Sequence, residues 1–314
     1  MNTLPQRPFR FGVLCYPKLE ELAAQARKAE DLGYSAYHLS DHVFNIAPIA
    51  AMTAAALATS TIRIGSMVLG NDFWNPVLLA RELLAIDGFS NGRLEFGLGS
   101  GWYSEDYKHS GIPMDTPGVR ISRLEESVTI LKGLLSGETV TFQGKYYNIQ
   151  EHQADTKPIQ QPHPPILIGG GGRRVLSLAA RQADIISFNG RATPSGGLAP
   201  QTNTLEATTQ KVVWVREAAG ERLSELELSV LASTVILTAA PEEAAAKSAE
   251  DARYWGANLT VEQVLEAPNH LIGDLDQIAD KLQQNRERFG FSYYVIFDEV
   301  LESFAPLVKR LAGK

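Results

Sequence analysis

Eight short apolar, strand-like runs recur along this chain, and segments of helical period fall between them. No other feature limits the fold as much. The strand runs are Phe9–Cys15, Ser35–Ser40, Ile62–Leu69, Arg93–Leu98, Ile166–Ile168, Asp184–Phe188, a stretch within Leu226–Leu237, and Tyr293–Phe297. The helical segments are Leu19–Leu32, Pro48–Thr59, Pro76–Phe89, Val119–Leu135, Val175–Gln182, Leu205–Ala219, Pro241–Trp255, Val261–Ala267, Leu275–Phe289 and Val300–Leu311. Strands that alternate with helices predict parallel pairing, because a crossover helix must return the chain to the same end of the sheet. Eight such units in 314 residues fit a closed (β/α)8 TIM barrel better than an open sheet. The α/β rhythm breaks at about 100–118, 138–165 and 189–204. These read as insertions in a single domain spanning 1–314, with a hairpin about Gln143-Gly144 and a surface loop over Gly190–Asn203.

Composition narrows the partners. The net charge is −7 with no basic block, which argues against nucleic acid and anionic membrane surfaces. An anionic ligand must then be held by local donors. The one cysteine, Cys15, excludes an internal disulfide, fits a cytoplasmic setting, and reads as a small core hydrophobe. The first residues lack the apolar stretch of a signal peptide. The longest apolar run, Ile46–Ala58, contains Pro48 and is too short to span a bilayer.

In a barrel of this kind chemistry gathers at the C-terminal ends of the strands. The second strand ends Ser40-Asp41-His42, the third runs through Ser66-Met67-Val68-Leu69, and the fourth ends Gly99-Ser100-Gly101-Trp102. The fifth stops at Gly169, Gly170, Gly171 and Gly172, followed by Arg173 and Arg174 at the start of a helix. A glycine-rich turn into a helix presents bare N–H groups at the positive end of the helix dipole, a site suited to phosphate. One of the two arginines is expected to face that ligand; otherwise both belong to a solvated first turn. His42 is the acid/base candidate, with Asp41 or a backbone carbonyl fixing its tautomer. The alternative is a loop histidine bonded to Asp41.

No lysine stands at a strand end for Schiff-base chemistry, and no two carboxylates stand out as an acid/base pair. His38 and His42 are four apart, but on and just after a strand they need not share a face, so no metal is expected. Gly97-x-Gly99-x-Gly101 is not the dinucleotide fingerprint, because Trp102 replaces the helix-opening glycine. A site with glycines at two strand ends and a lone histidine points to a bound cofactor for the hard chemistry.

Taken in order, AEDLGYSAYHLSDH (29–42), IRIGSMVLGNDFWNP (62–76), RELLAIDGFSNGRLEFGLGSGWYSED (81–106), PPILIGGGGRRVLSLAARQADIISFN (164–189) and IADKLQQNRERFGFSYYVIFDE (278–299) resemble the luciferase-like family of flavin- and deazaflavin-dependent oxidoreductases. The chain is most similar to the branch assigned to coenzyme F420. The resemblance implies that Asp41 and His42 lie at the reactive edge of a tricyclic ring. It implies a bulge, often with a cis peptide, at Ser66-Met67, with Leu69 beside it. It implies a Gly99-Ser100-Gly101 turn near the ring, and a phosphate on Gly169–Gly172 and Arg173. Sugar-phosphate dehydrogenases of the family carry a glutamate where this chain has Trp102. A flatter or more apolar substrate, lined by Trp74, Trp102 and Tyr103, is therefore implied. Three readings follow: an F420-dependent oxidoreductase, an FMN-dependent monooxygenase fed by a reductase, and a non-catalytic flavin-binding relative. The resemblance also implies a homodimer and a flavin or F420 reductase as supplier of reduced cofactor.

Overall fold

A computed structural model describes residues 4–193, 198–254 and 257–314. Part of the expected loop at 190–203 and the last residue of the expected helix Pro241–Trp255 lie outside the described residues. Eight parallel strands close into a barrel: β1 (Arg10–Cys15), β2 (Ala36–Leu39), β3 (Arg63–Ser66), β4 (Leu94–Gly99), β5 (Ile166–Gly170), β6 (Ile185–Phe188), β7 (Glu227–Leu231) and β8 (Phe291–Phe297). Neighbours in sequence are neighbours in the barrel. β8 returns to β1 (Phe11 opposite Tyr294), and β3 meets β4 (Gly65 opposite Glu95).

Helices cover the outside. They are α1 (Leu22–Asp31), α2 (Pro48–Ala58), α3 (Pro76–Phe89), α4 (Ser104–Ser110), α5 (Pro117–Leu135), α6 (Arg173–Gln182), α7 (Leu205–Ala219), α8 (Pro241–Tyr254), α9 (Val261–Glu266), α10 (Leu275–Phe289) and α11 (Leu301–Leu311). Their limits follow local chemistry. Asn75 caps α3 ahead of Pro76, Asp274 forms a capping box at α10, and Gly290 closes α10 in the left-handed region at φ 75°. The period-two alternation of the strands sends Phe11, Tyr37, Ile64 and Phe96 outward into the helix layer, where all four are fully buried. Cys15 lies in the same core. No helix is long and apolar enough to cross a membrane among the described residues.

Two expected elements differ. The stretch Leu226–Leu237 is not one strand. β7 makes its last barrel bond at Ala232, whose N–H donates to Val295 O. The chain then leaves the barrel, and Thr234–Leu237 pairs in parallel with His270–Gly273 beside α8 and α9, over an apolar cluster of its own. The third strand is likewise interrupted. It stops at Ser66, the Met67–Val68 peptide is cis, and Leu69–Gly70 resumes pairing with β4. The expected hairpin is present as antiparallel Val140–Gln143 and Asn148–His152.

The lumen carries an apolar layer that includes Leu14, Leu167, Ile185 and Val295, and a charged layer below it. At the N-terminal end of the strands, Arg10 and Arg63 flank the fully buried Glu95 at 2.6 and 3.2 Å, and Arg10 also reaches Glu227 at 2.8 Å. Tyr293 donates its hydroxyl to Glu95 at 2.7 Å and meets His38 Nε2 at 2.5 Å. Burial pushes the Glu95 carboxyl up, but the guanidinium groups beside it, Arg10 foremost, hold it down at about 2. Gly12 and Gly65 make room for this cluster, since a Cβ on either would collide with Tyr293 or His38. This end of the barrel is thus plugged by compensated charge.

Candidate active site

At the opposite end the loops that follow β2, β3 and β4 meet. Asp41 ties the first two together. Its Oδ2 accepts from Gly70 N at 3.0 Å and from Trp74 Nε1 at 2.7 Å. Burial raises the Asp41 carboxyl, and these two donors oppose the shift. With both bonds made, Asp41 does not orient His42, and the Trp74 indole is engaged as a structural donor.

The partner of His42 is Asp106. His42 Nδ1 lies 2.6 Å from Asp106 Oδ2, while Asp106 Oδ1 accepts from Val43 N at 3.1 Å. This corrects the expectation that Asp41 or a carbonyl fixes the ring. Asp106 is 64 positions away on α4, a helix inside the insertion at 100–118, so sequence spacing carries no signal for it. Aromatic rings enclose the imidazole. Phe44 stacks on it at 5.1 Å and 8°, and Trp102 and Tyr103 meet it edge-on at 5.9 and 5.5 Å. Among the described residues Nε2 has no protein partner.

The helix that carries Asp106 is itself anchored. Tyr107 donates to Asp72 Oδ2 at 3.0 Å, and Arg123 reaches Asp72 Oδ1 at 2.6 Å. Gly101, at φ 77°, sits against the Tyr107 hydroxyl, where a Cβ would come within 1.8 Å. Gly101 is therefore required both for the turn and for this close approach. Phe73 packs on Tyr107 at 5.3 Å rather than at the rim.

The bulge after β3 falls one residue later than expected, because Met67–Val68 rather than Ser66-Met67 is cis. Ser66 is buried and clamps β4, giving its hydroxyl to Gly97 O and accepting from Gly97 N, both at 3.0 Å. Val68 lies over the glycines of β4. A Cβ on Gly97 or Gly99 would stand 2.8 or 2.6 Å from its methyls. These glycines seat the bulge. Leu69 is fully buried in the outer core, away from the lumen, and Ser100 O accepts from Arg120 at 3.1 Å.

The glycine run at β5 divides in the same way. None of Gly169–Gly172 has a positive φ, so no left-handed nest forms. A Cβ on Gly170 would meet Val175 Cγ1 at 2.3 Å, and one on Gly171 would meet Asn189 O at 2.5 Å. Gly172 alone is open, with Arg191 Cγ at 4.0 Å. It is the N-cap of α6 and supplies no side-chain cap, so the first N–H groups of that helix are left to another acceptor. Arg173 is exposed, 3.4 Å from Glu217, whereas Arg174 is tied to α5 through Gly118 O and Ser122. Lys211, unmarked in the sequence reading, is buried behind this turn. It donates to Asn189 O at 2.6 Å and Asn203 Oδ1 at 3.2 Å, and burial pushes it down to about 8. Among the described residues no three metal-ligating side chains stand together.

One end of the barrel thus joins an acid-paired histidine, a cluster of aromatic rings and a helix N-terminus without a side-chain cap. Residues 5–290 match the luciferase-like monooxygenase family, and the chain belongs to it as an oxidoreductase. It is 28% identical over 284 residues to the FMNH(2)-dependent dimethylsulfone monooxygenase of Pseudomonas putida, covering 82% of this chain and 77% of that protein. It is 27% identical over 276 residues to the F420-dependent glucose-6-phosphate dehydrogenase of Amycolatopsis mediterranei, with 83% and 77% covered. The coenzyme F420-dependent tetrahydromethanopterin reductase of Methanopyrus kandleri shares the fold at a TM-score of 0.78 and 19% identity, with 98% of each chain covered.

Proposed function

We propose that this chain is an F420-dependent oxidoreductase that moves a hydride between the deazaflavin and a small organic substrate, with His42 carrying the proton. The carrying observation is the state of His42: Nδ1 is engaged by Asp106, and among the described residues Nε2 has no protein partner within a wall of aromatic rings. Such a ring can accept a proton from a substrate O–H as hydride leaves the adjoining carbon, and return it in the reverse direction. The deazaflavin, when bound, supplies or takes the hydride.

The rim residues fit such a group. Gly172 and the uncapped N–H groups of α6 suit its phosphate, with Arg173 alongside, since its guanidinium is solvent-facing and held only by an exposed carboxylate. The Met67–Val68 bulge and the Gly99-Ser100-Gly101 turn would support the ring, and Asp41 fixes the second and third loops around it. Trp102 and Tyr103 would face the substrate, which favours an apolar or flat molecule.

A second reading, an FMN-dependent monooxygenase, is favoured by the similarity to the dimethylsulfone enzyme. Titrating the protein with F420 and with FMN separates the two. Micromolar or tighter F420 binding is expected. Tight FMN binding without F420 binding, together with oxygen consumption on reduced FMN, would overturn the first reading.

A further inference from the structure

We propose that Asp106 is the positioning residue of His42: its carboxylate holds the imidazole as the Nδ1–H tautomer and so reserves Nε2 as the atom that exchanges the proton. The proposal rests on the role given to His42 above and says how that role is set.

Both oxygens of Asp106 are committed. Oδ2 takes His42 Nδ1 at 2.6 Å, and Oδ1 takes Val43 N at 3.1 Å. One side chain thus fixes the ring and the backbone next to it, which prevents the loop from turning the imidazole away. The 2.6 Å separation is that of a charge-assisted bond. The carboxylate is almost fully buried, at 4% exposure, so water competes little for it. An ionised carboxylate can only accept, so the neutral ring must place its hydrogen on Nδ1. The lone pair is then on Nε2. When Nε2 gains a proton, the imidazolium is stabilised by the same carboxylate, the division of labour seen in other carboxylate–histidine pairs.

The support behind Asp106 is rigid. Its N–H donates to Tyr103 O at 3.2 Å, linking it to a ring that flanks His42. The adjacent Tyr107 pins α4 to Asp72 and, through it, to Arg123 on α5. Phe44 stacked on one imidazole face, with Trp102 and Tyr103 at its edges, leaves little freedom for a ring flip. Asp41, adjacent to His42 in sequence, is spent on Gly70 and Trp74 and does not substitute.

The test reads the tautomer directly. Ring nitrogen shifts of the full-length 15N-histidine-labelled protein are recorded in alkaline buffer, and His42 is assigned by its loss in His42→Gln. Nδ1–H is expected for the wild type, with a shift toward Nε2–H in Asp106→Ala. In steady-state assays with F420, Asp106→Ala should lower kcat about 10²-fold while F420 affinity, read by fluorescence, stays unchanged. Asp106→Glu should recover part of the rate. A wild-type Nε2–H tautomer overturns the proposal, and that measurement stands even if Asp106→Ala fails to fold. So does an Asp106→Ala enzyme at wild-type rate beside a slow His42→Ala. If His42→Ala itself turns over normally, the proposed function fails, while the tautomer still decides whether Asp106 sets the ring.

Discussion

The two ends of the barrel each place a histidine beside an acid, in opposite surroundings. At the N-terminal end His38 has no exposed side-chain surface, and its ring meets Tyr293 and the Glu95 cluster. Burial pushes His38 down to about 4 against the pull of Glu95, and Arg10 and Arg63 act in the same direction as burial. It stays neutral and sealed. At the C-terminal end the His42 side chain keeps 18% of its surface exposed, with one nitrogen held and the other without a partner among the described residues. The residue types are similar; access and the count of compensating charges differ. A histidine surrounded by fixed charge supports the fold, and one left a single open nitrogen can exchange a proton.

The contrast breaks most readily at His42. His42→Ala should lower hydride transfer by roughly 10²–10⁴ and shift the urea unfolding free energy by no more than about 1 kcal/mol. An inactive protein with lost stability would erase the distinction between the two ends. The mirror experiment is Glu95→Ala. Removing that carboxylate takes away the Arg63 ion pair and leaves Arg10 with Glu227 alone, and should cost about 3–5 kcal/mol in urea unfolding. A cost below about 1 kcal/mol would mean the plug is dispensable.

Acid sharpens the same point. Glu95 titrates at about 2 in the fold against 4.5 for an ordinary glutamate. A depressed folded pKa gives stability that is complete above the unfolded value and is lost as pH falls through the folded one. Unfolding free energy should therefore decline between pH 4.5 and 2, and Glu95→Gln should flatten that decline. The smallest effects separate the glycines. Gly170→Ala meets Val175 and should destabilise by about 1–3 kcal/mol. Gly172→Ala has room and should leave stability near wild type while weakening F420 binding, as measured by titration. Equal stability losses would show that the whole run serves packing alone.

The architecture was largely legible. Strand and helix periods at Phe9–Cys15, Pro76–Phe89 and Leu275–Phe289 are local properties, and the structure places elements there within a few residues. Departures came where pairing overrides pattern. Val235 and Ile236 look like barrel strand, yet belong to a separate two-stranded ladder, because β-propensity does not name a partner. At the site, a histidine at the end of the second strand was readable from position, but which of Gly169–Gly172 has room beside it was not. The functions of Gly97, Gly99 and Gly170 were not, because a glycine in sequence does not say whether its missing Cβ makes room for a ligand or for Val68 and Val175.

By itself the sequence determined the alternating elements, the barrel they close into, the family resemblance, and a histidine at the end of the second strand. All of these depend on period, composition or short motifs. Tertiary structure alone decided the partner of that histidine. Asp41 is adjacent in the chain but is drawn to Gly70 and Trp74, and Asp106 arrives from a helix anchored by Tyr107 and Asp72. Hydrogen bonds act over about 3 Å in space and take no account of separation along the chain. The same holds for Glu95, a charged residue in a strand that finds its counterions only when the barrel closes.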